Sequence, residues 1–418
     1  MYRPLLILGA SLLLMLGLSL SPVQAQRSLK IMHYNILRYG DNTCGPTLSQ
    51  KDGWLNTILT AAQPDVLTVN ELLPSEAFSN RIRGLGFTYT DQIGYGEITN
   101  EAGAVFVNNI FYRTDKLGYV GVEVIEADPR DVNVFTLYDK ESVASGDTLF
   151  LYFIVAHLKA SNSSTDRAKR LQATQNIIDW MDENGREKHV ILLGDFNFSA
   201  ANEDGFQNLV KQTDPEIDFF DPAGRENNWN GPVHTLIHTQ SPRTVSNDCG
   251  VTGGLDDRFD IILLSDAIKN ESRGVFYKDE TYEVFGNGGD SYDRELRCNA
   301  DGPVSPTVCG ALKQFSDHLP VSIELGLPTL STSISPSAKA RIYVQNPVKD
   351  ILTVRWENSQ VVKEVKVINS IGQVMGQKFV SPGQAKAEIP SMNWPIGVYW
   401  ALVTDTQGKS RAFKLLKQ

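Results

Sequence analysis

The stretch VILLGDFN, at residues 190–197, says most about both the fold and the site of this chain. Its four consecutive apolar residues are typical of a strand that is buried on both faces. Asp195 and Asn197 follow this strand almost at once. Because catalytic groups of layered α/β folds collect at strand ends, the stretch predicts a functional site at this point.

Five other segments show the same combination of a strand and a polar end. They are LKIMHYNIL at 29–37, VLTVNE at 66–71, LYFIVAHLK at 151–159, DIILL at 260–264 and SDHLPV at 316–321. Each offers a carboxylate, an amide or an imidazole at or near a strand end. Helical patterns lie between these strands, so we expect an α/β fold in which helices cover the sheets.

Two helices can be bounded from the sequence. Apolar residues recur at helical spacing from 54 to 62 and stop before Pro64. Asp166 is the predicted N-cap of a second helix, and Gly185 its predicted end. A shorter helix is expected from Pro74 toward Leu85.

The polar strand ends form a set with coherent chemistry. Glu71, Asp195 and Asp317 offer the hard oxygen ligands that suit Mg²⁺, Mn²⁺ or Ca²⁺. Asn35 and Asn197 can hold a metal or donate to a phosphate oxygen. None of the motifs contains a cysteine, which argues against a structural zinc site.

Two imidazoles complete this set. His157 and His318 can move protons or stabilise negative charge near neutral pH, and Asp260 can orient one of them. His33 and His189 lie beside motif strands, and their positions favour packing or surface roles.

The ordered motif series resembles the endonuclease/exonuclease/phosphatase superfamily over about residues 27–326. The resemblance implies a four-layer α/β sandwich, as in DNase I, with two mixed sheets packed face to face and helices outside. One departure is Asn70, where the family usually has Gln. The implied roles are a divalent metal on Asn35, Glu71 and Asp317, and catalysis by His157, Asp195, Asn197, Asp260 and His318.

The family resemblance also limits the substrate. His157 is typical of the DNase I, sphingomyelinase and phosphatase branches, whereas abasic-site repair enzymes generally lack a histidine there. We expect a phosphodiesterase acting on extracellular nucleic acid, and the alternatives are a lipid phosphodiesterase or a small-molecule phosphatase. A catalytically silent surface binding protein is an alternative of another class.

Lipid hydrolysis would need an exposed apolar wedge. The stretch 285–310 is rich in Gly, Asn, Asp and Arg, and its Arg294 and Arg297 could contact a phosphate backbone. The aromatic side chains of Phe276, Tyr277 and Phe285 are the candidates for a small wedge.

The N-terminus predicts export. Arg3, an apolar run at 5–20 and the small-residue site ending at Ala25 are typical of a secretory signal over residues 1–25, with a retained anchor as the alternative. The net charge of −10 argues against tight, salt-driven binding of nucleic acid, although a metal site can supply local positive charge.

The four cysteines of an exported chain favour disulfides. Cys298 and Cys309 are close in sequence and are expected to close one loop, which leaves Cys44 with Cys249. Free buried thiols are the alternative.

Residues 327–338 form a predicted Ser/Thr/Pro linker, and residues 339–418 a predicted small β-sandwich. NPVKDIL at 346–352, IGQ at 371–373 and GVYW at 397–400 resemble the C-terminal sorting domain of the type IX secretion system. The resemblance implies a protein that uses this secretion machinery and is secreted or surface-bound in a Bacteroidetes-type bacterium. We also expect a monomer without stable membrane insertion, because no segment after the signal is apolar enough to cross a bilayer. A carbohydrate-binding or adhesive module is the alternative.

Overall fold

The computed structural model describes residues 27–73, 81–87, 106–144, 148–225, 228–245, 248–328, 342–356, 362–369, 372–381, 384–405 and 410–418. The predicted signal at 1–25, most of the predicted linker and the start of the helix expected from Pro74 lie outside these ranges.

The chain up to residue 328 alternates strands and helices. Its strands are β1 Arg27–Tyr39, β2 Val66–Leu72, β3 Val107–Tyr112, β4 Leu117–Ile125, β5 Val132–Asp139, β6 Phe150–His157, β7 His189–Asp195, β8 Phe219–Phe220, β9 Asp260–Ser265, β10 Phe276–Tyr277, β11 Glu283–Val284 and β12 Val321–Leu327. The helices described in full are α1 Leu48–Ala62, α2 Lys140–Ala144, α3 Ser164–Trp180, α4 Asp204–Val210, α5 Asp266–Lys269 and α6 Pro306–Phe315, and residues 81–84, within the helix expected toward Leu85, are also helical.

These strands form two mixed sheets. The first has the order β10-β12-β1-β2-β3, with β11 also pairing with β12, and the second has the order β4-β5-β6-β7-β9-β8. The parallel pairs are β1 with β2 and β6 with β7, while β12 runs antiparallel to β1 and β9 antiparallel to β7.

The two sheets pack face to face with helices outside. On β1, the Tyr34 ring lies 5.3 Å from the Phe315 ring of α6, whereas the next residue, Asn35, reaches across to the second sheet. On β7, Ile191 joins the core that is shared with the first sheet, and Leu192 joins the core under α3. Alternate side chains of a strand thus serve opposite layers. The expected four-layer α/β sandwich is confirmed.

This topology brings the predicted motifs to one edge of the sandwich. Asn35 and Asn70 are paired in register on β1 and β2. His157, Asp195 and Asp260 are paired in register across β6, β7 and β9. Because β12 is antiparallel to β1, the residues just before it lie at the same edge.

The helix expected before Pro64 is α1, which ends at Ala62. The prediction that Asp166 is an N-cap is wrong. Ser163 is the N-cap of α3, with extended backbone angles. In a capping box, its hydroxyl accepts from the N–H of Asp166 and the Asp166 carboxylate accepts from the N–H of Ser163. A π-helical turn, Met181–Gly185, then carries the chain on to the predicted end at Gly185.

Both expected disulfides are present, so the free-thiol alternative is wrong. Cys44 bonds to Cys249 and Cys298 bonds to Cys309, with Cα–Cα distances of 5.2 and 5.3 Å. The first links the loop after β1 to a loop that precedes β9.

The tail is all-β, as expected. Its strands are β13 Ile342–Val344, β14 Ile351–Trp356, β15 Val362–Asn369, β16 Val374–Phe379, β17 Lys386–Pro390, β18 Gly397–Asp405 and β19 Ser410–Lys417. They form the antiparallel sheets β13-β14-β17 and β16-β15-β18-β19, which share one apolar core. Among the helices that the structure describes, none has the length and apolar character needed to cross a membrane.

Candidate active site

Asn35 joins the two sheets at the motif edge. Its amide nitrogen donates to Oε1 of Glu71 and to Oδ2 of Asp195, at 3.0 Å in each case. Its amide oxygen accepts from the backbone N–H of Leu37 at 3.0 Å, and a second lone pair remains for a metal. Oε2 of Glu71 accepts from the backbone N–H of Arg38 at 3.2 Å.

Glu71, His157 and Asp195 form a group that could hold a metal ion, because their ligand atoms lie within 4.8 Å of one another. Nε2 of His157 is 3.9 Å from Oε1 of Glu71 and 3.6 Å from Oδ2 of Asp195. Burial, followed by the charge of Asp317, raises the pKa of Glu71. Closely spaced carboxylates of this kind favour a cation between them.

Asp317 belongs to the same cluster through its charge. Its Oδ2 accepts from the backbone N–H of Val251 at 2.7 Å, and its side chain is almost fully buried. The disulfide between Cys249 and Cys44 links the loop that contains Val251 to the loop after β1. The disulfide and the backbone hydrogen bond together fix the position of this carboxylate.

The backbone on both sides of Asp195 packs closely against the end of β6. The φ angle of Gly194 is +156°, and a Cβ there would lie 2.0 Å from the carbonyl oxygen of Ala156. Only glycine fits this position. Asn197 has a positive φ of 54°; its N–H donates to Oδ1 of Asp195 at 3.2 Å and its side chain to the carbonyl of Leu158 at 3.3 Å. The GDFN stretch is thus a tight turn with the Asp195 carboxylate held inside it.

Asp195 and His318 face each other, and the pKa of each group is raised. Burial raises the pKa of Asp195 to about 7; the charge of His318 acts against this shift, and the charges of Asp260 and Glu71 add to it. Burial alone would lower the pKa of His318, but the carboxylates of Asp260 and Asp195 raise it well above its ordinary value. Nε2 of His318 lies 3.7 Å from Oδ2 of Asp195. A proton donor and a proton acceptor therefore meet at this point.

His157 has the opposite character to His318. Burial, followed by the positive charge of Arg130, lowers its pKa well below the ordinary value. The Arg130 guanidinium donates to the carbonyl oxygens of His157 and Leu158 at 3.0 and 2.9 Å. A neutral imidazole of this kind can bind a metal or accept a hydrogen bond.

The structure brings together all the predicted site residues: Asn35, Glu71, His157, Asp195, Asn197, Asp260, Asp317 and His318. Their roles stay predictions.

Sequence reasoning missed the supporting contacts of Asn70 and did not single out Gln240. Asn70 accepts from the backbone N–H of Asp195 at 2.9 Å and donates to Oδ1 of Asn108 at 2.7 Å. The Gln240 amide contacts Nε2 of His318 at 2.7 Å. Asn70 stood out in sequence as the departure from Gln, whereas nothing in the local pattern distinguishes Gln240.

Comparison with known proteins gives two kinds of similarity. Residues 345–418 match the family model described as secretion system C-terminal sorting domain. The chain therefore carries the type IX sorting tail of a secreted or cell-surface protein of Bacteroidetes-type bacteria, and that part of the resemblance is confirmed. No curated protein matches the sequence.

Several solved structures are similar in fold. The endonuclease/exonuclease/phosphatase from Bacteroides vulgatus is 14% identical, with a TM-score of 0.46, covering 72% of this chain and 100% of that one. A protein of the same family from Bacteroides thetaiotaomicron is 18% identical, with a TM-score of 0.43, covering 73% and 100%. D. rerio TDP2 in complex with a single strand DNA product is 16% identical, with a TM-score of 0.45, covering 71% and 98%.

Proposed function

We propose that this chain is a secreted, divalent-metal-dependent phosphoesterase that hydrolyses phosphodiester bonds. The observation that carries the proposal is the meeting of Glu71, His157 and Asp195 within 4.8 Å, beside the buried pair of His318 and Asp260. Such a site combines groups that suit a cation, a water molecule and a phosphate.

The protein side chains divide the chemistry between them. Asp195 orients the attacking water or takes its proton, because Asn35 and the Asn197 N–H hold its two oxygens in place. The Asn197 side chain positions the phosphate. His318 stabilises the pentacovalent charge or protonates the leaving oxygen, and Asp260 fixes its ring.

Glu71, Asp317 and Asn35 would hold the divalent cation, with Mg²⁺ as the first choice and Mn²⁺ or Ca²⁺ as alternatives. His157 and Asp195 offer further ligand atoms to a cation at Glu71. Oxygen-rich, buried ligands suit these hard cations. When bound, the cation offsets the negative charge that grows on the phosphate oxygens.

Nucleic acid is the proposed substrate. The aromatic residues that could have formed a lipid wedge are engaged in the fold. Phe276 and Tyr277 form β10 and pair with β12, and Phe285 is buried in the core. Arg130 adds a positive charge beside Glu71 and His157, where a phosphate backbone would pass.

A lipid phosphodiester is the second candidate, because Val251 is exposed beside Asp317 and other apolar side chains are exposed on neighbouring segments of the chain. Val251, whose N–H binds Asp317, is 54% exposed. Val233 and Leu236 on a 3₁₀ turn, and Val245 on the loop before Cys249, are 81%, 62% and 81% exposed. Exposed apolar residues of this kind suit a lipid interface.

A substrate panel separates the candidates. Wild-type protein and Asp195→Asn would be assayed on single-stranded DNA, RNA, sphingomyelin vesicles and a phosphomonoester, each with and without Mg²⁺. The proposal expects Mg²⁺-dependent cleavage of DNA or RNA that Asp195→Asn abolishes. Cleavage of vesicles alone would select the lipid candidate, and a Val233→Asp/Leu236→Asp variant should then lose it. No turnover of any ester would contradict the phosphoesterase proposal and favour a binding protein.

A further inference from the structure

Asp260 lies between two imidazoles rather than beside one. Its Oδ2 is 2.6 Å from Nδ1 of His318, and its Oδ1 is 3.7 Å from Nε2 of His33. All three side chains are almost completely buried. His33 is two residues before Asn35 on β1 and therefore presents its side chain to the same face of the sheet.

Two buried polar atoms face each other in this arrangement. Within the described residues, neither Nε2 of His33 nor Oδ1 of Asp260 has a partner at hydrogen-bond distance, and Asn70 is the other polar side chain that interacts with the His33 ring. Buried polar atoms are nearly always paired in folded proteins. Because 3.7 Å is only about 0.5 Å longer than a hydrogen bond, a small side-chain movement pairs these two atoms.

Thr68 can favour one tautomer of His33. Its hydroxyl lies 3.0 Å from Nδ1 of His33. When this hydroxyl donates, Nδ1 is the acceptor, and the proton of the neutral ring is on Nε2, which faces Asp260. In this arrangement, the Thr68 hydroxyl donates to His33, and Nε2–H of His33 is directed at Oδ1 of Asp260. His318 donates to the other oxygen of the same carboxylate.

We propose that His33 is a positioning residue for His318. It holds Oδ1 of Asp260, so that Oδ2 stays directed at Nδ1 of His318 and the ring keeps its place beside Asp195. The catalytic consequence rests on the proposed function, whereas the contact between His33 and Asp260 does not. A carboxylate held from both sides orients an imidazole better than one held from a single side.

The test compares His33→Phe, which removes the donor, with His33→Gln, which returns an N–H to the side chain. His189→Phe is the matched control, because His189 is also buried on a strand but contacts the Ser272 carbonyl at 2.8 Å, at the other end of β7. Two quantities are measured for each protein. They are kcat and KM on a chromogenic phosphodiester with Mg²⁺, and the low-field proton resonance of Nδ1–H between His318 and Asp260.

We expect His33→Phe to lower kcat on the order of tenfold with KM within about twofold, the scale of losing an outer partner that orients a reacting group. The low-field resonance should shift in His33→Phe, recover toward wild type in His33→Gln, and stay unchanged in His189→Phe. A folded His33→Phe protein with wild-type kcat and an unmoved resonance would overturn the inference.

Two further outcomes are decisive. If His33→Phe does not fold, Thr68→Val removes the hydroxyl that favours this tautomer, and the same shift and loss are expected; an unchanged Thr68→Val protein would then count against the inference. If the wild-type protein hydrolyses no ester, the resonance alone decides whether His33 holds Asp260. Failure of the proposed function is thereby distinguished from failure of this inference.

Discussion

Nδ1 of His318 lies 2.6 Å from Oδ2 of Asp260, and both side chains are buried at the edge where the two sheets meet. The carboxylate keeps the proton on Nδ1 and supports positive charge on the ring. The arrangement directs Nε2 of His318 toward Asp195. The contribution of the His318–Asp260 pair to kcat can be measured with a variant of Asp260.

Asp260→Asn should lower kcat by at least about 100-fold while leaving the fold intact, because the amide keeps the shape of the side chain but loses the charge that supports His318. The measurement is kcat on a chromogenic phosphodiester, with circular dichroism as the check on folding. Asp266→Asn, just beyond the opposite end of β9, is the control and should keep wild-type kcat. Wild-type turnover in Asp260→Asn would remove this residue from the mechanism.

The disulfide between Cys44 and Cys249 should affect metal binding. It fixes the loop whose Val251 N–H holds Asp317 at 2.7 Å. A Cys44→Ala/Cys249→Ala protein should need on the order of tenfold more Mg²⁺ for half-maximal activity, as expected when an outer contact of a metal ligand is lost. The control is removal of the second disulfide, at Cys298, which should change this concentration less. Identical Mg²⁺ dependence in all three proteins would show that the first disulfide serves stability alone.

His189 should make folding stability depend on pH. Burial lowers its pKa, although its hydrogen bond to the Ser272 carbonyl acts in the opposite direction. The unfolded chain therefore binds more protons than the folded one below the ordinary histidine pKa of about 6.5. The contribution of neutral His189 is present above pH 6.5 and is lost as the pH falls below it.

This pH effect can be isolated by comparing wild type with His189→Phe in urea unfolding at pH 8, 6.5 and 5. The free energy of unfolding of wild type should decrease relative to the variant as the pH falls, by at most about 1.4 kcal/mol per pH unit. A difference between the two proteins that is constant with pH would refute the prediction.

The sorting tail should be dispensable for chemistry, since no predicted site residue lies in it. A chain ending at Leu327, the last residue of β12, should keep the kcat of the full chain but fail to reach the outside of a type IX host. Secretion is followed by immunoblot of cells and medium, and kcat with the purified proteins. Loss of turnover in a folded, shortened chain would instead assign the tail a part in substrate binding.

The sheet edge that carries the site could be predicted from the sequence. Whether the polar residue precedes or follows each apolar run indicates which end of that strand lies at the site. Glu71, His157 and Asp195 come at the ends of apolar runs, whereas Asp260 and His318 precede them. Parallel and antiparallel pairing then places these ends together. The sequence pattern contains this information without any knowledge of the three-dimensional contacts.

Contacts across the sheets could not be predicted in this way. His33 lies inside an apolar run, so packing was the natural interpretation, and its approach to Asp260 depends on a residue that is 227 positions away. In the tail, β18 is apolar on both faces, and the structure buries Tyr399, Ala401 and Val403 while Trp400 is only half-buried. Period-two spacing identifies a strand but cannot choose between two apolar faces.

The most direct test of metal-dependent hydrolysis at Asp195 measures the rate at which the full chain hydrolyses a chromogenic phosphodiester. The rate is measured before EDTA is added, after EDTA, and again after Mg²⁺ is added. EDTA should abolish hydrolysis and Mg²⁺ or Mn²⁺ should restore it, because the carboxylates of Glu71, Asp195 and Asp317 otherwise repel the phosphate. Asp195→Asn should remain at least about 100-fold slower with saturating Mg²⁺. Full activity in EDTA, or wild-type turnover by Asp195→Asn, would contradict the account.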